Sequence, residues 1–402
     1  MDFKQLPRTK VFKDPIHGFI NINYEIILKL INTKELQRLK RIRQLGGTYQ
    51  VFPTAEHTRF SHSLGCYETC REMIECIDGL KEALNEREVV SVLCAALLHD
   101  VGHGPFSHAF SMIHDVEHEH YSSNIIRRDS EVSEVLKEYD LNEEVAQIID
   151  KTHKNKLLVQ LISSQIDADR TDYLRRDAYF TGTVFGYIDF DRLVRMMKVV
   201  DDRIVFKEAG LPTVESYMLG RYHMYKSVYY HAASLCVEVI VINLLRRYFD
   251  LKKENYKFKH EYKYLDPFMA NKEVSNEEYY NLDDFVIYFY TRQFAEEDDP
   301  ILSDLANRFI NRKLMKRAYV KEMYLDDYKD KVIEDGYDPK YYFYYALPRN
   351  NVYKKYGKDD YAAIYVLTRD NHIVELSNIS RVVDALSNDH VTSEDDYVVI
   401  YG

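Results

Sequence analysis

Apolar and polar positions alternate with a period of two in VFKDPIHGFINI, residues 11–22, which predicts a short β-hairpin near the start of the chain. Beyond it the period becomes helical. One pattern follows Ser61 and runs to about Gly79. Residues 86–100 contain VSVLCAALL, apolar on every side, so this segment is predicted as a helix buried in the core. Helical patterns recur at 117–128, 131–138, 142–153, 157–163 and 167–178, and a long one covers about 213–249. Beyond residue 250 the texture changes. Tyrosines and charge runs rise, and 21 of the 35 tyrosines lie there. AAIYVLTRDNHIVEL predicts strand, turn at Asp370-Asn371, strand; Ser380–Leu386 predicts a helix and DYVVIY a last strand. The expected architecture is mainly α: a helical core over 1–250 behind a short N-terminal hairpin, then a smaller mixed α/β lobe over 251–402 that serves as an oligomer interface.

Composition narrows the class. Of the 402 residues, 46% are hydrophobic and 30% charged, as in a globular protein with a sizeable core. No apolar run approaches the ~18 residues of a membrane span. MDFKQLPRTK lacks the apolar centre of a signal peptide, and the five cysteines read as reduced core thiols, so a cytoplasmic protein is expected. The net charge of −11 argues against a non-specific nucleic-acid binder. An anionic small substrate needs only a local basic pocket.

Candidate chemistry concentrates in LLHDVGHGPFSHAF, residues 97–110. Eight of the 15 histidines fall between His57 and His120, a density that solitary structural histidines do not produce. His99 and Asp100 are neighbours, about 100° apart around a helix, so they can share one ion only where the helix opens at its end. Gly102, Gly104 and Pro105 are placed to force that end. His62 in EHTRFSHSLG and Asp169 in QIDADRTDYLRRD are candidates for further ligands. Two imidazoles with two carboxylates suit octahedral Mn, Fe, Mg, Co or Ni better than a structural zinc.

His62, His99-Asp100 and Asp169, in that order, resemble the H…HD…D signature of HD-domain metal phosphohydrolases. DPIHGFI, RIRQLGGTYQVFPTAEHTRFSHSLG, LLHDVGHGPFSHAF and IDADRTDYLRRDAYFTG together resemble the deoxynucleoside triphosphate (dNTP) triphosphohydrolases, in the branch of the sterile-alpha-motif/HD enzyme and its bacterial relatives. RYHMYKSVYYH at 221–231 extends the likeness; the C-terminal lobe shares it only loosely. The resemblance implies an all-helical core whose divalent metal (Mn, Fe, Mg, Co, Ni or Zn) is held by His62, His99, Asp100 and Asp169. The implied reaction is dNTP plus water giving deoxynucleoside and inorganic triphosphate.

The same resemblance implies phosphate contacts at Arg59, Arg170 and Arg221, sugar contacts at Gln44, Leu45, Tyr173 and Asp177, and a base contact at Tyr229. It implies catalytic roles for His103, His108 and His118, with Glu119 beside His118. From residue type alone, Arg59 and Arg221 read first as ordinary surface or ion-pair arginines, and Tyr173 and Leu45 equally as core packing. An activator-nucleotide site (GTP or dNTP) is implied at Lys10, Asn32, Gln37 and Lys40, in a homo-oligomer, tetramer favoured. Two positions depart from the pattern. Ser111 stands where relatives carry a carboxylate, which leaves Glu119 or Asp115 to replace it. Asn32 and Lys40 stand where relatives carry an acid and an arginine, and lysine lacks the planar fork that reads a base edge. The competing readings are an HD phosphohydrolase acting on nucleoside monophosphates or guanosine alarmones, and a non-catalytic nucleotide sensor or nucleic-acid binder.

Overall fold

The computed structural model describes residues 3–107, 109–110, 118–270, 274–347, 352–354, 361–387 and 397–402, with His118 and Ala270 described in backbone only. The expected hairpin is present as β1 (Gln5–Asp14) and β2 (Gly18–Tyr24), antiparallel. Three helices frame the site: α1 (Arg59–Cys76), α2 (Glu86–Leu98) and α3 (Ala168–Thr181). The α1 helix starts earlier than its apolar pattern. Its cap is Thr58, whose Oγ1 accepts from Ser61 N, so Ser61 already lies inside the first turn. Asn85 and Glu88 close a capping box on α2, and every residue from Val90 to Leu98 is buried, as its all-round apolar pattern requires.

The long helix expected over 213–249 is two helices, α4 (Leu211–Met224) and α5 (Ala232–Lys253), joined through a π-helical turn at Tyr225–Tyr229 and bent by 54°. The break falls at His231, whose ψ of 122° is extended. Neither proline nor glycine marks it. The π turn inserts its extra residue into a continuous apolar pattern. The pattern over 142–153 is helical only for Asn142–Ile149, and Lys151 turns to φ 65°. No single helix among the described residues is long and apolar enough to cross a membrane.

Strands β3 (Met197–Val200) and β4 (Arg203–Lys207) form a hairpin that the apolar pattern did not reveal. It is extended by β7 (Tyr365–Leu367) and β8 (Ile373–Glu375), the expected strand–turn–strand, giving the order β3-β4-β7-β8 with β4 and β7 parallel. The last strand, β9 (Tyr397–Tyr401), lies between β5 (Lys316–Val320) and β6 (Phe343–Ala346). One hydrophobic core joins the hairpin and α1 to α4 with Ile364, Val366 and Val383. A second is built around α5 and the segments from Tyr262 onward, and includes Phe106 and Phe110. The lobe from residue 251 on therefore contributes to both cores.

Candidate metal centre and adjoining cavity

One turn into α1, His62 is fully buried between two carboxylates of α3. Its Nδ1 lies 2.8 Å from Asp172 Oδ2, and Nε2 lies 3.1 Å from Asp169 Oδ1. His99 ends α2, with Nδ1 2.9 Å from the Ala96 carbonyl. Nδ1–H donates to that carbonyl, which leaves Nε2 as the lone-pair nitrogen. That Nε2 is 3.3 Å from Asp100 Oδ1 and 3.6 Å from Asp169 Oδ1, yet it is buried without an oriented hydrogen bond. Asp100 Oδ2 is 3.8 Å from His62 Nε2. The four side chains of the H…HD…D pattern thus converge from three helices. An orphaned imidazole nitrogen aimed at carboxylate oxygens suits a divalent cation.

Burial alone raises the pKa of Asp100, but His99, Arg59 and His103 outweigh it and hold the carboxyl well below its usual range. Asp169 is likewise held down against burial, by its hydrogen bond to His62 and by the neighbouring His99. Burial lowers His62, while Cys66, Asp169 and Asp172 together raise it well above an ordinary histidine. Without a cation, the imidazole keeps a proton that balances these carboxylates.

Two features escaped sequence reasoning. Cys66 belongs to the same cluster, with His62, His99 and Asp169 as its possible co-ligands. Its sulfur is 3.9 and 3.7 Å from His62 Nδ1 and Nε2, beside the ring, and burial pushes its thiol pKa up. Behind His62 lies a buried relay. Asp172 also meets His17 Nε2 at 2.8 Å and Arg176 Nε at 2.9 Å, and Arg176 NH1 donates to Asp14 Oδ2 at 2.8 Å. This chain of charges ties the hairpin to His62. A Cβ on Gly65 would stand 2.0 Å from Asp172 Oδ1 and 2.4 Å from Arg176 NH2, so only glycine lets α1 and α3 close on the relay. The signal available was the spacing Asp169, Asp172, Arg176, which puts all three on one face of α3.

Beyond α2 the chain turns sharply. Phe106 and Ser107 both sit at positive φ, 51° and 50°, a strained conformation for such residues. Ser107 Oγ accepts from Arg59 Nε at 3.0 Å and NH2 at 2.8 Å, while Arg59 NH1 pairs with Asp100. His103 Nε2 is 3.2 Å from Asp100 Oδ1. His108, Ser111 and Asp115 lie outside the described residues, as does the side chain of His118; Glu119 is exposed.

Arg59 also lines a cavity of about 540 Å³ together with Gln44, Leu45, Tyr173, Asp177 and Tyr229. Gln44 and Leu45 precede a 3₁₀ turn at Gly46–Gln50, in which a Cβ on Gly47 would come within 2.5 Å of Val237 Cγ1; that close approach seats the turn on α5. Both oxygens of Asp177 are engaged: Tyr229 Oη donates to Oδ2 at 2.7 Å, and His57, which sequence reasoning left without a role, lies 2.8 Å from Oδ1. Tyr173 stands edge-on to both the His62 ring and Tyr229. Arg170 and Arg221 are not in this wall. Arg170 turns back to pair with buried Asp167. Arg221 is buried, 3.5 Å from the Gln165 carbonyl and stacked over Tyr225, which does line the cavity. At the expected activator site, Lys40 Nζ donates to Gln37 Oε1 at 2.8 Å, and Asn32 is exposed with its amide on the Leu28 carbonyl. Among the described residues no hydrogen bond joins exposed Lys10 to these three.

Residues 59–177 match the HD domain and residues 188–267 the HD associated region. The chain is 41% identical to the uncharacterized protein YwfO of Bacillus subtilis over 95% of its own length and 90% of that protein's. The chain belongs to the HD-domain family. It is also 32% identical to the deoxynucleoside triphosphate triphosphohydrolase SAMHD1 homolog of Dictyostelium discoideum, over 60% of this chain and 49% of that one. A crystal structure of a phosphohydrolase from Bacteroides thetaiotaomicron superposes with a TM-score of 0.81 at 28% identity, covering 98% of this HD chain and 99% of the other. By family, the chain is an HD-domain phosphohydrolase with a divalent-metal site.

Proposed function

We propose that this phosphohydrolase cleaves dNTPs to deoxynucleoside and inorganic triphosphate, with the metal held by His62, His99, Asp100 and Asp169. The observation that carries the reading is that the four-residue cluster and the 540 Å³ cavity share Arg59 and touch through Tyr173. A phosphate chain at the cluster thus extends its sugar and base into a pocket of tyrosines.

When bound, a divalent ion supplies Lewis acidity toward a phosphate oxygen and toward water. The chain does the rest. Arg59, clamped by Ser107 and Asp100, presents a fixed positive charge at the phosphate end. Tyr173 and the Tyr229–Asp177 pair border the sugar. The departing 5′ oxygen needs a proton, and His103, held 3.2 Å from Asp100, is positioned to carry one; His108 and His118 are the other candidates. Arg170 and Arg221 act on phosphate only after leaving the partners described above. Asp100 rather than Cys66 completes the ligand set, because the sulfur lies beside the His62 ring and its buried thiol resists ionisation.

The test is product analysis with each dNTP, alone and with a second nucleotide that can act as activator, in Mn²⁺, Mg²⁺, Fe²⁺, Co²⁺ or Ni²⁺. Inorganic triphosphate is expected. Its absence from every combination, or release of phosphate or pyrophosphate instead, overturns the reading. Asp100→Ala is expected to abolish both hydrolysis and metal retention.

A further inference from the structure

One wall of the cavity has no part in the chemistry above. It is a face of α5 on which Ser234, Glu238 and Val241 recur at helical spacing. Among the described residues two carboxyl groups line the cavity. Each oxygen of Asp177 has a partner, in His57 and Tyr229, whereas Glu238 has neither a hydrogen bond nor an ion pair among the described residues. Burial is the sole influence on its titration and pushes its pKa up to about 7. Its titratable neighbours are both tyrosines, Tyr230 just after the π turn and Tyr344 from β6. Among the described residues no cation balances it. A half-buried carboxyl without donors is costly, and such a group inside a ligand cavity is completed by the ligand.

The π turn puts Tyr225, Tyr229 and Tyr230 into the same cavity, a set of aromatic faces suited to a flat heterocycle. A base held there can turn its hydrogen-bonding edge toward α5. A carboxylate only accepts hydrogen bonds, at two adjacent oxygens. Guanine offers two adjacent N–H donors, N1–H and the N2 amino group. Adenine and cytosine set an unprotonated ring nitrogen beside their amino group, and thymine flanks its single N–H with two carbonyl oxygens.

We infer that Glu238 is the base-selecting residue of this cavity and favours guanine, accepting from N1–H and N2–H. The inference rests on the triphosphohydrolase reading and names the substrate within it. It also accounts for the unpartnered carboxyl, since two donated hydrogen bonds stabilise the charged form that burial opposes.

The experiment is internal competition, with dGTP and dTTP in one reaction, so that any activation acts on both. The ratio of kcat/KM is expected to favour dGTP by about tenfold or more, and Glu238→Gln, which exchanges one acceptor for a donor, is expected to reduce that ratio by about tenfold. A ratio that Glu238→Gln changes by less than about twofold overturns the inference. A second comparison uses wild-type protein alone, so it stands even if the variant does not fold. There dITP, which lacks the N2 amino group, competes with dGTP and is expected to be the poorer substrate by about tenfold. Equal use of the two overturns the inference. Turnover without guanine preference defeats this proposal alone, while no triphosphate from any dNTP defeats the parent reading and this one with it.

Discussion

Asp172 touches no atom of the proposed substrate, yet replacing it is expected to weaken metal binding. Its carboxylate is fully buried, orients His62 through Nδ1 at 2.8 Å and neutralises Arg176, whose side chain is also fully buried. Burial opposes its ionisation, but Arg176, His17 and His62 keep its pKa well below the ordinary carboxylate range. In Asp172→Asn one amide oxygen remains to accept, while the NH₂ group faces donors. His62 loses the partner that fixes its tautomer and ring angle. Partners of this kind are worth about 10–100-fold in metal affinity, or about 1.4–2.7 kcal/mol. Arg176 retains Asp14 at 2.8 Å, so the loss of folding stability belongs near the low end of the range for a broken buried pair, about 3 kcal/mol. Calorimetric titration of chelator-treated protein with Mn²⁺ measures the first quantity, and denaturant unfolding followed by circular dichroism the second. A folded Asn variant that binds Mn²⁺ within about twofold of wild type refutes the claim that Asp172 orients the ligand.

Gly65→Ala is expected to destabilise the protein by about 3 kcal/mol, because its Cβ would sit 2.0 Å from Asp172 Oδ1 in a packed seam; an unchanged denaturant midpoint contradicts this. Cys66→Ala is expected to leave Mn²⁺ affinity within about twofold of wild type; a loss as large as that of Asp100→Ala would make the sulfur a ligand. Metal affinity is expected to fall as pH falls, since the ion must displace the proton that the raised pKa of His62 retains; apparent Kd values flat between about pH 6 and 8.5 contradict this. In the metal-free protein that raised pKa stabilises the fold below about pH 6.5 and the contribution is lost as pH rises through the higher folded value. The depressed carboxyls of Asp100, Asp169 and Asp172 act oppositely: their stabilisation is full above about pH 4 and is lost as pH falls through their folded values, measurable as urea midpoints against pH. Asp284→Ala is expected to remove about 1–3 kcal/mol for each buried N–H it leaves unpaired, those of Arg43 and Phe106, with activity falling alongside stability.

How much of this was legible follows from sequence distance. His99 and Asp100 could be read as a pair because the helix that delivers them, its apolar surface and its terminus are all local. Their partners, His62 and Asp169, lie on other helices, and only resemblance to a family joined them into one set. The relay through Asp14, His17, Asp172 and Arg176 was hidden for a different reason. Charged residues spaced three and four apart on a helix ordinarily mark a solvated face, whereas here they are buried because a glycine on α1 admits them. Glu238 was hidden in the same way, as one charge within an apolar run. The pairing of β4 with β7 joins Phe206 to Val366, a separation that no local pattern reports.

The same reasoning explains why the C-terminal half belongs with the chemistry, although it lacks the motifs. The turn after α2 needs support from outside: it has two residues at positive φ and a run of buried backbone groups to satisfy. Those partners come from residues 279–284 and from Arg38. Tyr279 Oη donates to the Gly102 carbonyl at 2.6 Å, and Asp284 Oδ1 accepts from Phe106 N at 2.8 Å. Arg38 bridges the His103 and Leu282 carbonyls. Asp284 Oδ2 also accepts from Arg43 N, next to Gln44 in the cavity wall. One carboxylate thus spans the turn that carries His103 and the segment at Arg43 that leads into the pocket. Burial pushes its pKa up to about 6, a strain that the two backbone N–H groups only partly offset. A charge held at that expense is best understood as positioning: it fixes the turn that carries His103 relative to the cavity wall at Gln44, so that in the proposed triphosphohydrolase Arg59 and Gln44 would face one substrate.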